Sequence, residues 1–104
     1  MTHFTLTEKD ITKQIRDLLY VIPDLYHWKA WQGPMSQPRG VADIIGCYKG
    51  RFFAIEVKKP GGKLTEYQNE FIARVKGSGG IAFMAQGIDE VILWLELPVE
   101  LTGG

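Results

Sequence analysis

Behind Thr7, apolar residues recur at helical spacing as Ile11, Ile15, Leu18 and Leu19, with Asp10 placed three residues on for a reciprocal cap. The pattern predicts an amphipathic helix over residues 8–21, stopped by Pro23. Leu25 to Trp31 is rich in aromatic residues and reads as a first, irregular strand. Two Gly and two Pro within residues 33–40 mark a loop. Two β-rich runs follow, residues 41–48 and 51–58, joined through Lys49-Gly50 as a hairpin. Pro60-Gly61-Gly62 ends the second run, and Thr65 with Gln68 has capping-box spacing ahead of a helix over 65–76 that is expected to bury Tyr67, Phe71, Ile72 and Val75. Residues 77–80, Gly-Ser-Gly-Gly, close that helix. Residues 81–85 form a short buried strand, and residues 88–95 a very apolar helix before Pro98. The strand at 51–58, the helix at 65–76 and the strand at 81–85 make a crossover unit, whose two strands should be parallel and neighbours in one sheet. The expected fold is α/β, a mixed sheet flanked by helices in the order α-β-β-β-α-β-α.

The hairpin carries a chemical consequence. A two-residue turn sets Tyr48 opposite Arg51, and the same register sets Asp43 opposite Glu56. Side chains so placed hold their Cβ atoms only about 4.5–5.5 Å apart, and like charges there are unfavourable unless something positive sits between them. A hard divalent cation with oxygen ligands is the natural candidate. Lys58 falls on the same face as Glu56 because strand side chains alternate. Two carboxylates and an ammonium at one spot are equipment for metal-assisted attack on a phosphodiester.

With 104 residues the chain suits one domain, residues 1–104, with a single modest core. Its 45% hydrophobic content, with three Trp, four Tyr and five Phe, excludes a disordered tail. No apolar run nears the ~18 residues that cross a bilayer, and no basic-then-apolar leader opens the chain, so a soluble, intracellular, cytoplasmic protein is expected. Cys47 is the lone cysteine, which leaves no internal disulfide and no cysteine zinc site; its apolar strand predicts burial. Net charge is zero, which argues against a nucleic-acid binder, but the distribution is uneven. Residues 1–76 hold all 12 Lys and Arg against eight acids, whereas residues 77–104 hold four acids and no base, so a basic working face is permitted.

Asp43, then Glu56-Val57-Lys58, then Gln68 in the following helix, with Gly40 ahead of the Asp and Pro60-Gly61 after the Lys, resembles the virus-type replication-repair nuclease (VRR-NUC) domain of the PD-(D/E)xK nuclease superfamily. The likeness covers nearly the whole chain. It implies a restriction-endonuclease-like fold and a metal-dependent DNA endonuclease of replication and repair. Asp43, Glu56 and the main-chain carbonyl of Val57 would hold Mg2+ or Mn2+. Lys58 would orient the attacking water and stabilise developing charge, and Gln68 would place Lys58 or a water. Glu8, early in the first helix, matches an acidic position that often joins the site, with Asp10 a weaker substitute. By the same resemblance, small stand-alone members form homodimers acting on branched, flapped or four-way (Holliday) junction DNA, compatible with a phage-encoded protein working in a bacterial host. The superfamily's Pro before the Asp is replaced by Ala42, a backbone difference beside a ligand.

Simpler readings stand beside these. Asp43 and Glu56 could pair with Lys58 and Arg51 on an exposed sheet face, although a shared rung in an apolar hairpin disfavours that. Gln68 could serve only the capping box, and Glu8 only the helix dipole. His3 and His27 read as surface residues without spaced partners, and the Gly77–Gly80 run as a helix terminus rather than a phosphate cradle. Lys29, Arg39, Lys59 and Lys63 are candidate phosphate contacts. Trp28 and Trp31 are candidates for stacking on bases, against a default of core packing. The segment Val91–Leu95 is expected to serve a subunit contact. The rival functions are a nucleic-acid-binding module that has lost its chemistry, and an assembly subunit retaining the fold.

Overall fold

The computed structural model describes residues 6–30 and 39–99. Its order is α1 (Glu8–Tyr20), β1 (Leu25–Lys29), β2 (Ile44–Tyr48), β3 (Arg51–Val57), α2 (Glu66–Gly77), β4 (Ile81–Ala85) and α3 (Ile88–Leu95). Residues 33–38 of the predicted loop, Trp31 and His3 lie outside the described residues. The four strands form one sheet in chain order, β1 and β2 antiparallel, β2 and β3 antiparallel, β3 and β4 parallel. This is the mixed sheet with flanking helices that the sequence predicts. Lys49 and Gly50 both adopt positive φ, 52° and 76°, as a tight hairpin turn requires. Tyr48 pairs with Arg51 and Ile44 with Ile55, the register expected from that turn.

Alternation along the strands sends each residue set to one of two layers. Ile44, Phe53, Ile55, Val57 and Phe83 face α1 and α3, where they meet Ile11, Ile15, Leu19, Val91, Ile92 and Leu95. Phe53 is fully buried, and its ring lies where a Cβ on Gly46, its cross-strand partner, would stand 2.4 Å away. Burying a side chain of this kind contributes roughly 1.5–3 kcal/mol. The opposite layer is thinner: Ala54 and Ala82 pack under Phe71, Ile72 and Val75 of α2, beside Ala30, Val41, Ala42 and Ile45.

Several burial expectations are corrected. Tyr67 is 50% exposed, because the face of α2 that meets the sheet runs through positions 68, 71, 72 and 75 and leaves Tyr67 on the flank. No residue of α2 is fully buried. Cys47 is exposed, since alternation turns it to the α2 side where the helix does not reach. His27 is buried rather than superficial: it faces α1 and its ring meets Tyr20 edge-on at 4.4 Å. Val91, Ile92 and Leu95 enter the chain's own core, so only Leu93 and Trp94 of that segment remain outward. No helix among the described residues is long and apolar enough to cross a membrane.

Candidate active site

Asp43 lies one residue before β2, and the β2–β3 register carried one step further places it across from Glu56. Its main-chain carbonyl accepts from the Ala30 N–H at 2.9 Å, which ties this rung to the end of β1. The Asp43 Oδ2 accepts from the Val57 N–H at 2.8 Å, so the carboxylate is oriented by the strand that carries Glu56. Glu56 is 4% exposed. Its Oε1 accepts a hydrogen bond from Gln68 Nε2, and its Oε2 is buried without a partner.

An ionised carboxylate cannot be content there. Burial pushes the Glu56 carboxyl up to about 9, helped by a hydrogen bond to Asp43 and by the charges of Asp43 and Glu8, against the lowering pull of Lys58. With Asp43 and Glu56 both ionised, Oε2 has no donor; a proton shared with Asp43, or a cation, supplies what is missing. Two carboxylates offer hard oxygen ligands, and an ion such as Mg2+ is commonly held by one or two carboxylates together with waters and substrate phosphates. The residues therefore fit a small divalent cation. Among the described residues no three His, Cys, Asp or Glu side chains gather closely enough to hold an ion, so Glu8 stands near the acid pair without joining it in a cluster.

Gln68 reaches Glu56 because α2 begins where it does. Thr65 caps the helix: its hydroxyl accepts from the Gln68 N–H at 3.1 Å, and Gln68 Oε1 accepts from the Thr65 N–H at 2.9 Å. The side-chain carbonyl thus serves the cap while the amide nitrogen serves Glu56, and the two roles coexist. Asp10 is similarly occupied, by the Thr7 N–H at 2.9 Å in the α1 capping box.

Two glycines hold this arrangement. Gly40 has φ of 77°, and a Cβ there would lie 2.3 Å from the Tyr67 carbonyl and 2.6 Å from the Gln68 nitrogen. The first turn of α2 therefore sits directly on the segment leading to Asp43. A Cβ on Gly62 would stand 3.2 Å from Cβ and 3.5 Å from Cδ of Lys58, so the bare glycine leaves room for the lysine stem. Position 40 was legible in the sequence only as part of a motif; its neighbour 27 residues on was not.

Of the candidate contacts, Lys58 is half-buried beside Glu56, with its N–H bonded to the Ala85 carbonyl at 3.0 Å. Lys59 and Lys63 are exposed in the turn after β3. Arg39 lies over the Tyr67 ring at 5.1 Å and donates to its hydroxyl at 3.0 Å. Lys29 is exposed, but alternation turns it toward the α1 side, away from the acid pair. Trp28 turns to the acid-pair side and is 43% exposed.

The family model of the VRR-NUC domain matches residues 2–89. In three dimensions the chain is similar to a solved VRR_NUC domain protein, with a TM-score of 0.69 and 23% sequence identity over 89% of this chain and 88% of that one; at this identity the likeness concerns the fold. A search of curated proteins finds no match. The match across most of its length, on a mixed sheet consistent with the PD-(D/E)xK type, makes this chain a member of the VRR-NUC domain family, a family of nuclease type.

Proposed function

We propose that this protein is a divalent-metal-dependent DNA endonuclease, with Asp43 and Glu56 as side-chain metal ligands and Lys58 as the catalytic cation. The observation that carries the reading is the pair of carboxylates from adjacent strands, one with a buried oxygen that has no donor when both acids are ionised. A cation bound there would act as a Lewis acid on the scissile phosphate and make a water more acidic. The chain's own residues do the rest. Asp43 is held by the Val57 N–H and Glu56 by Gln68, so both carboxylates are held in place before any ligand arrives. The Val57 main-chain carbonyl is the proposed third protein ligand, and Glu8 an outer one. Lys58 would orient the water and balance the charge that builds on the phosphate, with Gln68 keeping Glu56 in place. Exposed Lys59, Lys63 and Arg39 would meet backbone phosphates, and the net positive balance of residues 1–76 supports such contacts. Mg2+ and Mn2+ are the proposed ions, and branched, flapped or four-way DNA the proposed substrates of a homodimer with two such sites.

The test compares the wild type with Lys58→Ala on linear, flapped and four-way DNA in Mg2+, Mn2+ or EDTA. The variant is expected to fold and bind DNA while losing cleavage by at least 100-fold, the upper range expected for one charge-stabilising group being ~10³-fold. Equal cleavage in EDTA would overturn the metal mechanism, and DNA binding without cleavage by the wild type would favour a binding module.

A further inference from the structure

Beyond the acid pair, the same sheet face carries an aromatic stripe. Counting away from the Asp43–Glu56 rung, the next rung on that face is Trp28, Ile45 and Ala54, and the one after it Tyr26, Cys47 and Phe52. Successive rungs on one face are roughly 6.8 Å apart. Tyr26 is 70% exposed, Trp28 and Phe52 each 43%, and the Tyr26 and Trp28 rings lie 5.5 Å apart. α2 packs on β3 and β4, and on the β1–β2 side of this face Tyr26, Trp28 and Cys47 stay exposed while Ile45 between them is buried. Between Phe52 and α2 runs a groove of about 680 Å³, floored by Phe71 and Val75 and bordered by Tyr67, Arg39 and Arg74. Among the described residues Arg39 has no carboxylate partner, whereas Arg74 pairs with Glu70 at 3.3 Å.

We propose that Trp28, Tyr26 and Phe52 form a stacking platform for two or three unpaired bases of a nucleic-acid strand whose backbone leads to Asp43 and Glu56. The proposal rests on the nuclease reading above and specifies its substrate: a strand with unpaired bases next to the point of cleavage. Three features select this occupant. The platform is continuous, rung by rung, with the acid pair. Its exposed groups are largely flat rings, which suit base faces, and an exposed sheet bearing aromatics is a known way to stack two or three bases. Arg39, with no carboxylate partner among the described residues and beside the groove, offers a phosphate or a base a cationic partner.

The experiment measures binding in EDTA, where no strand is cut, of a fluorescent duplex with a single-stranded DNA arm and of a blunt duplex of equal length. Trp28→Ala and Phe52→Ala are each expected to weaken binding of the armed DNA relative to the blunt by roughly 5- to 150-fold, the range that follows from loss of one stacked base. Trp28→Phe, which keeps a ring, should recover most of that loss, and this separates stacking from misfolding. Alkylation of Cys47, which lies between Tyr26 and Phe52, should slow when the armed DNA is bound and not when protein concentration alone is raised. An unchanged armed-to-blunt ratio in both alanine variants overturns the platform even if Mg2+-dependent cleavage is intact. Protection of Cys47 by protein concentration instead of DNA overturns it in favour of a second copy on this face. If neither DNA binds and neither is cut with Mg2+, the nuclease reading itself falls.

Discussion

Replacing Glu56 by Gln keeps the shape of the side chain and removes its charge, and the structure predicts that this stabilises the metal-free protein. Gln68 Nε2 can still donate to the position-56 side-chain oxygen, while the new amide nitrogen can donate to Asp43 where the buried Oε2 had no partner. The folded-state pKa is raised from 4.5 to about 9, so between those values the folded protein binds a proton that the unfolded chain releases. Stability without metal must therefore fall as pH rises through that window, by about 1.4 kcal/mol per pH unit. At pH 7, some 2.5 units above the unfolded value, the penalty is roughly 3 kcal/mol, equivalent to on the order of 10–20 °C in Tm for a chain of this size. Denaturant unfolding in EDTA from pH 5 to 9 measures it. The wild type should lose stability steadily above pH 6.5 and regain it on adding Mg2+ or Mn2+, whose binding displaces the proton. Glu56→Gln should be the more stable protein in EDTA at pH 8 and respond little to either ion. A wild type that is equally stable at pH 6.5 and pH 9 in EDTA, or a Gln variant weaker than wild type, would refute the reasoning.

Gly40→Ala combines a positive φ, worth ~1–3 kcal/mol for a residue with a side chain, with a Cβ 2.3 Å from the Tyr67 backbone. It should lower the denaturation midpoint by more than the φ strain alone and, by shifting Gln68 from Glu56, weaken the Mg2+-induced stabilisation. His27 is pushed below its usual 6.5 by burial and by Arg16, and neither ring nitrogen has a partner. The unfolded chain therefore takes up the proton first, so this contribution is full above pH 6.5 and is lost as pH falls toward the lowered folded value. In a Glu56→Gln background, where the opposing slope is gone, unfolding between pH 6.5 and 5 should show that loss, and His27→Phe should reduce it.

The order of elements, both capping boxes and the hairpin register could be read from the residues, because each depends on neighbours a few positions apart: Thr7 on Asp10, Thr65 on Gln68, Tyr48 on Arg51 through Lys49-Gly50. The register in turn set Asp43 opposite Glu56, since the period of a strand leaves no freedom once its turn is set. What only the tertiary structure decided is which half of the sheet each helix covers. Docking of α2 over β3 and β4 brings Gln68 to Glu56, seats Gly40 on the Tyr67–Gln68 backbone, turns Tyr67 outward and leaves Cys47, Trp28, Tyr26 and Phe52 uncovered. Alternation alone gave each of those strand residues a face, but His27 and Cys47 show that a face becomes core or surface only when a helix arrives on it. That outcome depends on contacts between segments remote in sequence, which local periodicity does not encode.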